Sequence, residues 1–222
     1  MNPPQRIEGS PLRAAGNAAV ATPHYLASQA ATLVLKRGGN AVDAAIAANA
    51  TLGVVAPETC GIGGDLFALI HTPGDEMPAT LNSSGRSGQG ASSALVRADG
   101  HTQIPIESRY AVTVPGCVDG WLALSERFGS MPLASVLAPA VELAESGFAA
   151  SPELAASLSR FEEQLAPQAS ARGLYPQGSA PAEGEDVRRP ALAATLREIG
   201  RNGRDAFYAG DVADAIVTAT GG

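Results

Sequence analysis

The chain is predicted to be a mixed α/β or α+β domain with a mainly helical second half, and three observations carry that class. Apolar residues recur at helical spacing before residue 57 and again beyond residue 131. Between these stretches lie a short continuous apolar run at 66–70, which suits a strand, and a second strand candidate at 110–114. A chain of 222 residues with 45% apolar side chains can also bury a core, because a globule of this size hides roughly two thirds or more of its extended surface. One unit spanning 1–222 is expected, with a mixed sublobe at 1–130 and a helical one at 131–222.

The first helix has a clear entrance, with Thr22 as cap and Pro23 in the first turn, where a missing N–H costs nothing. Leu26, Ala30, Leu33 and Val34 follow at helical spacing, and Lys36 and Arg37 sit near the negative dipole end before Gly38 and Gly39 stop the helix. Asn40 caps a second helix, with Asp43 three positions on, where a carboxylate favours the free N–H groups. Residues 41–52 are mostly alanine with Val42, Ile46 and Leu52, so small side chains on nearly every face place this helix in an interior. The run 41–56 is the longest apolar-rich stretch, yet it contains Asp43, Asn49 and Thr51. No apolar run reaches the about 18 residues that mark a membrane span.

Beyond Pro57, the segment Cys60-Gly61-Ile62-Gly63-Gly64-Asp65 leads into the run 66–70; residues 71–75 read as a turn and 79–81 as an antiparallel return. Residues 83–93 are rich in Ser and Gly without periodicity, a loop that crosses the surface or lines a cleft. The strand candidate at 110–114 is stopped by Pro115 and Gly116, and 119–128 is helical around Trp121, Leu122 and Leu124. From Met131 the pattern is helical: Pro132, Leu133, Val136, Leu137, Ala140, Val141 and Ala144 make one face, which Pro139 is expected to kink or split and Gly147 to end. Ser151 caps the next helix ahead of Pro152, with a stripe of Leu154, Leu158, Phe161 and Leu165. Residues 166–186 form a long connection, and Pro190 restarts a helix carrying Leu192, Leu196 and Ile199 before Val212, Ile216 and Val217.

Charge narrows the function classes. A net charge of −7 repels phosphate backbones, so no nucleic-acid partner is expected. His24, His71 and His101 are scattered and form no metal-ligand cluster, so neither a metal nor an organic cofactor is expected. The two cysteines, Cys60 and Cys117, match no finger, ribbon or redox motif and read as separate thiols in a reducing compartment. A disulfide between them would require the loops that carry them to meet. Residues 1–10 lack the apolar segment of a secretory signal, so a cytoplasmic location and no membrane association are expected.

Motifs decide less. The run 61–64 has glycines, but a dinucleotide fingerprint needs a strand before it, a glycine at Leu66 and a helix after it. Its glycines read as a tight turn with close chain approach, or as a backbone turn facing a ligand. There is no G-x-S-x-G, P-loop or H-E-x-x-H, and the serines at 83, 84, 87, 92 and 93 have no assigned base. Arg86 stands alone in the small-residue loop 82–88; its planar fork of donors is either a solvated charge or a clamp for a substrate carboxylate. Glu76, Glu107 and Arg109 read as solvated surface charges.

Taken in order, several segments resemble the N-terminal part of the large subunit of the gamma-glutamyltransferase (gamma-glutamyltranspeptidase) family. They are Val20-Ala21-Thr22-Pro23-His24, the run 35–45 (L-K-R-G-G-N-A-V-D-A-A), 61–67, 114–121 (V-P-G-C-V-D-G-W), 128–133 and 206–210 (A-F-Y-A-G). The run 35–45 is the most specific of them. The resemblance implies part of an N-terminal nucleophile hydrolase fold, a four-layer αββα sandwich. In that family a precursor cuts itself, and the new N-terminal threonine of the small subunit attacks the acyl amide with its own amine as base.

The resemblance further implies that no catalytic residue lies in these 222 residues, and that the chain alone does not turn over substrate. Its partners would be the rest of the large subunit, the small subunit and a gamma-glutamyl or glutaryl-type small molecule. Exposed sheet edges would then favour a homo-oligomer or poor solubility of the isolated chain. Where the family carries Asp-Phe-Arg-Glu-x-Ala-Pro or a close variant, this chain has Asn82-Ser83-Ser84-Gly85-Arg86-Ser87-Gly88. In register, Ser84 falls at the family arginine and Arg86 two positions later, a form that looks more like the transferase-like and cephalosporin or glutaryl acylase-like branches. Substrate-binding candidates are therefore Asn82, Ser84 and Arg86, with Gly63 and Gly64 packed near the cleft. The alternative is a noncatalytic binding or assembly protein retaining half of the fold.

Overall fold

The computed structural model describes residues 17–106 and 108–221. Residues 1–10, where a secretory signal would lie, and Glu107 are outside the described residues. Helices α1 (Tyr25–Lys36), α2 (Ala41–Val55), α5 (Leu133–Ser146) and α8 (Pro190–Asn202) pack side by side in that spatial order and enclose the core. A hairpin of β1 (Leu66–Ile70) and β2 (Ala79–Ser83) leans on α4 (Cys117–Phe128), which reaches back to α2. The hairpin is antiparallel, with Leu66 opposite Ser83 and Ile70 opposite Ala79.

Helix α2 is the hub, and its entrance shows why. The Asn40 side chain accepts from Val42 and Asp43 N–H at 2.9 and 3.0 Å, while Asp43 accepts from Asn40 N–H at 2.9 Å. This reciprocal box satisfies N–H groups that a helix start otherwise leaves open, and a cap of this type contributes about 1 kcal/mol. Asp43 is fully buried and also accepts from Ser130 N–H and hydroxyl, the latter at 2.6 Å, while Asn40 Nδ2 donates to Phe128 O at 2.6 Å. The 35–45 segment is thus a joint that fixes the α4–α5 connection to α2. Alanines bring α1 and α2 together, with Ala27, Ala31, Ala44, Ala47 and Ala50 all buried.

The entrance of α1 differs from expectation. His24 is the cap, its Nδ1 accepting from Leu26 N–H at 3.2 Å, and the Thr22 hydroxyl donates instead to the His24 carbonyl at 2.7 Å. Pro23 therefore precedes the helix. Pro139 neither splits α5 nor ends it: the helix runs through to Gly147, whose φ of +101° closes it. A buried interior proline typically costs about 3 kcal/mol; here Val136, Leu137, Ala140 and Ala144 are all completely buried around it, and that packing holds the helix together.

The apolar stripe expected from Leu154 to Leu165 is broken. Helix α6 (Pro152–Arg160) ends at Phe161, and one further turn, α7 (Glu162–Leu165), follows. The strand expected at 110–114 is absent: Arg109–Ala111 form a 3-10 turn, and only a single bridge, Ser87 to Thr113, succeeds it. Its side chains from Ala111 to Val114 are exposed, so no neighbouring strand rewards an extended ladder. The remaining elements are α3 (Ser93–Ala98), the two-residue pair β3 (Phe148–Ala149) and β4 (Asp186–Val187), a 3-10 turn at Ala169–Ala171, and α9 (Asp205–Tyr208) with α10 (Asp211–Thr220).

Candidate functional site

Three loops converge beside the hairpin: the glycine loop 61–65, the end of β2 with 83–87, and the turn 113–117 that enters α4. Their backbones are stitched together. Gly64 O accepts from both Gly116 N–H (2.9 Å) and Cys117 N–H (2.8 Å), and the Ser83 hydroxyl donates to Gly116 O at 2.8 Å. The Asp65 carboxylate accepts from Gly85 N–H at 2.9 Å, and Val114 N–H donates to Arg86 O at 2.8 Å. Contact is so close that a Cβ on Gly85 would collide with Val114 O, and one on Gly116 with Ser83 O. Glycine is required at these two positions by approach, not by φ.

Asn82, Ser84 and Arg86 all fall on this cluster, and all three are exposed. The Asn82 side chain accepts from Ser84 N–H at 3.0 Å, a local turn that sets the loop's direction. The Arg86 side chain has no carboxylate within 4.0 Å among the described residues, although its own carbonyl is tied to Val114. A guanidinium on a loop tied in this way can offer two parallel N–H donors to an incoming carboxylate. Gly63 and Gly64 sit in the first loop but are exposed; an added Cβ meets nothing at Gly63 and only Gly61 O at an ordinary 3.8 Å at Gly64. Packing therefore does not demand glycine at either position, which leaves the turn facing outward.

Sequence reading missed the residues that build the cluster: Asp65, Ser83, Gly85 and Gly116. The signal was present in the paired small-residue segments S-S-G-R and V-P-G-C, but nothing local says that they touch. The loops carrying the two cysteines also meet. Asn49 Nδ2 donates to Cys60 Sγ at 3.4 Å, Cys117 Sγ donates to Asn49 Oδ1 at 3.5 Å, and Trp121 Nε1 donates to the same oxygen at 2.8 Å. Both cysteines are free thiols. Burial, with Cys60 nearby, pushes the Cys117 thiol up to about 12, and burial raises Cys60 as well. Neither has the depressed pKa of a nucleophilic cysteine.

Among the described residues no group of three or more His, Cys, Asp or Glu side chains is arranged to hold a metal ion, and no helix is long and apolar enough to cross a membrane. Two grooves of about 350 and 460 Å³ lie elsewhere, between α5 and α8 and beside Asp119 and Arg204. Neither groove is lined by a residue of the three loops.

The family model described as gamma-glutamyltranspeptidase matches residues 27–221. The chain is 40% identical to a glutathione hydrolase-like YwrD proenzyme of Bacillus subtilis, over 90% of this chain and 38% of that protein. It is 37% identical to an oxamate amidohydrolase proenzyme of Klebsiella pneumoniae, over 87% of this chain and 38% of the relative. Among solved structures, Helicobacter pylori gamma-glutamyltranspeptidase superposes with a TM-score of 0.86 at 31% identity, covering 94% of this chain and 61% of that one. A cephalosporin acylase from Bacillus halodurans gives a TM-score of 0.81 at 37% identity, covering 89% and 38%. The chain thus spans little more than a third of the length of these curated relatives. It belongs to the gamma-glutamyltranspeptidase family, and its own mixed α/β fold, with small antiparallel sheets and a mostly helical C-terminal half, is consistent with the N-terminal nucleophile hydrolase-like fold of that family.

Proposed function

We propose that this chain is the N-terminal part of an acyltransferase or amidohydrolase, and that its three-loop cluster holds the carboxylate end of a gamma-glutamyl or glutaryl-type acyl donor. The observation that carries the reading is Arg86, an exposed cation on a loop whose backbone is fixed by Asp65 on one side and Val114 on the other. A pre-fixed loop lowers the ordering cost of binding, and the guanidinium fork matches two carboxylate oxygens. Ser84 and Asn82 lie beside it and add hydroxyl and amide groups toward the same ligand.

In this reading the chain positions and the rest of the protein reacts. A threonine hydroxyl outside these 222 residues attacks the acyl carbon, its own amine takes the proton, and the leaving amine departs with a proton returned to it. The acyl ester then passes to water or to an acceptor amine. Arg86 fixes the far end of the acyl chain, so the carbonyl is presented to the nucleophile in one orientation, a contribution of the proximity kind.

The apolar side chains left open around the hairpin support assembly with the remaining segments. The test is intact-mass and peptide analysis after incubation with a gamma-glutamyl donor. The full-length parent is expected to carry the acyl group outside residues 1–222, and the 222-residue chain to carry none. An acyl group held covalently by the 222-residue chain alone overturns the proposal.

A further inference from the structure

We infer that Tyr208 is a positioning residue for the three-loop site, an inference that rests on the reading of that site as the carboxylate-binding end of an acyl-donor pocket. Tyr208 closes the short helix α9, anchored by its buried neighbour Phe207, and lies some ninety residues downstream of the loops. Its hydroxyl donates to Pro115 O at 2.6 Å and accepts from Asp119 N–H at 3.0 Å. The second bond satisfies an N–H in the opening turn of α4, whose cap, Gly116, has no side chain to do so.

The first bond matters more for the site. Pro115 C=O and Gly116 N–H belong to one planar peptide unit, so fixing the carbonyl fixes the direction of the N–H. That N–H donates to Gly64 O, and the next carbonyl, Gly116 O, receives the Ser83 hydroxyl. Tyr208 thus holds, through one peptide plane, the point where the glycine loop and the Arg86 loop are joined. Arg204 lies 4.5 Å over the Tyr208 ring and 3.5 Å from the Asp119 carboxylate, which steadies the ring from the solvent side. Burial raises the pKa of the Tyr208 hydroxyl, so it remains protonated and able to donate.

Tyr175 provides the matched control. Its hydroxyl donates to Leu158 O at 2.9 Å in the helical half, with no link to the loops. Tyr208→Phe removes a hydroxyl that has two backbone partners, and Tyr175→Phe one that has a backbone partner in Leu158 O. By hydrogen exchange on the 222-residue chain, Tyr208→Phe is expected to speed exchange at Gly116, Cys117 and Gly85 by about tenfold, and Tyr175→Phe to leave them unchanged. In the full-length parent, Tyr208→Phe is expected to raise KM for a carboxylate-bearing donor several-fold, with a melting shift no larger than that of Tyr175→Phe.

Unchanged exchange at Gly116 and Cys117 overturns the inference, as does faster exchange with an unchanged KM. Equal KM effects of the two variants also overturn it, because they would mark general destabilisation. If the wild-type parent turns over no acyl amide, the functional reading fails, and the exchange comparison still decides whether Tyr208 orders the loops.

Discussion

The layer of α1, α2, α5 and α8 and the hairpin region at 61–116 are held together in opposite ways. In the helical layer, Val34, Val54, Val136, Leu137 and Leu196 are fully buried, and the helices satisfy one another's apolar faces. In the hairpin region Phe67, Leu69, Met77 and Ile106 are 67, 73, 76 and 92% exposed. Order there comes from the β1–β2 ladder, a few loop hydrogen bonds in which the Asp65 and Ser83 side chains take part, and two close glycine contacts. A scaffold that is complete in itself therefore presents an incomplete surface, and the candidate site sits on that surface. This is the arrangement expected when further chain must arrive before the site can act.

The largest effect that would break this contrast is on stability. Leu196→Ala in the helical layer is expected to cost about 2–5 kcal/mol, whereas Leu69→Ala on the exposed face of β1 is expected to stay within about 0.5 kcal/mol. Denaturant melts of the two variants check this directly. A comparable loss at Leu69 would mean that the hairpin face is already covered, for example by a second copy of the chain.

A smaller effect sharpens the comparison at the edge of the helical layer. Burial lowers the His24 pKa below its ordinary value, against the opposing pull of Glu58 and Glu153. Its Nδ1 must also be unprotonated to accept from Leu26 N–H. The unfolded chain therefore binds the proton more readily than the folded one. The stabilising contribution of the neutral cap is complete above about pH 6.5 and is lost as the pH falls below it. Thermal melts at pH 8 and pH 5 should show a larger acid loss for the wild type than for His24→Asn, which caps without titrating. Identical losses would contradict this role for His24.

How much of this was legible in the sequence depended on how local the physics is. The Asn40 and Asp43 box, the Ser151 cap and the Gly147 stop follow from residues within a turn of one another, and all are present. The alanine-rich interior of α2 was equally readable, because small residues on every face leave few other places for a helix. His24 displaced Thr22 as a cap because an imidazole nitrogen can accept as a hydroxyl does, a choice that propensity rules rank poorly. The pairing of 148–149 with 186–187 was invisible, since two residues carry no alternation. At the site, the Arg86 loop could be identified but its fixing could not: Asp65, Gly116 and Tyr208 reach it from positions with no local signature.

Arg86 is the most direct test of the central claim, that the three-loop cluster holds the carboxylate of an acyl donor. In the full-length parent, kcat/KM for a carboxylate-bearing amide would be measured for the wild type and for Arg86→Ala, beside a donor lacking that carboxylate. The account predicts a loss of at least about tenfold for the carboxylate-bearing donor, as expected when a charge-assisted hydrogen bond is removed, and little change for the other. Equal kcat/KM of the two enzymes on the carboxylate-bearing donor would contradict it.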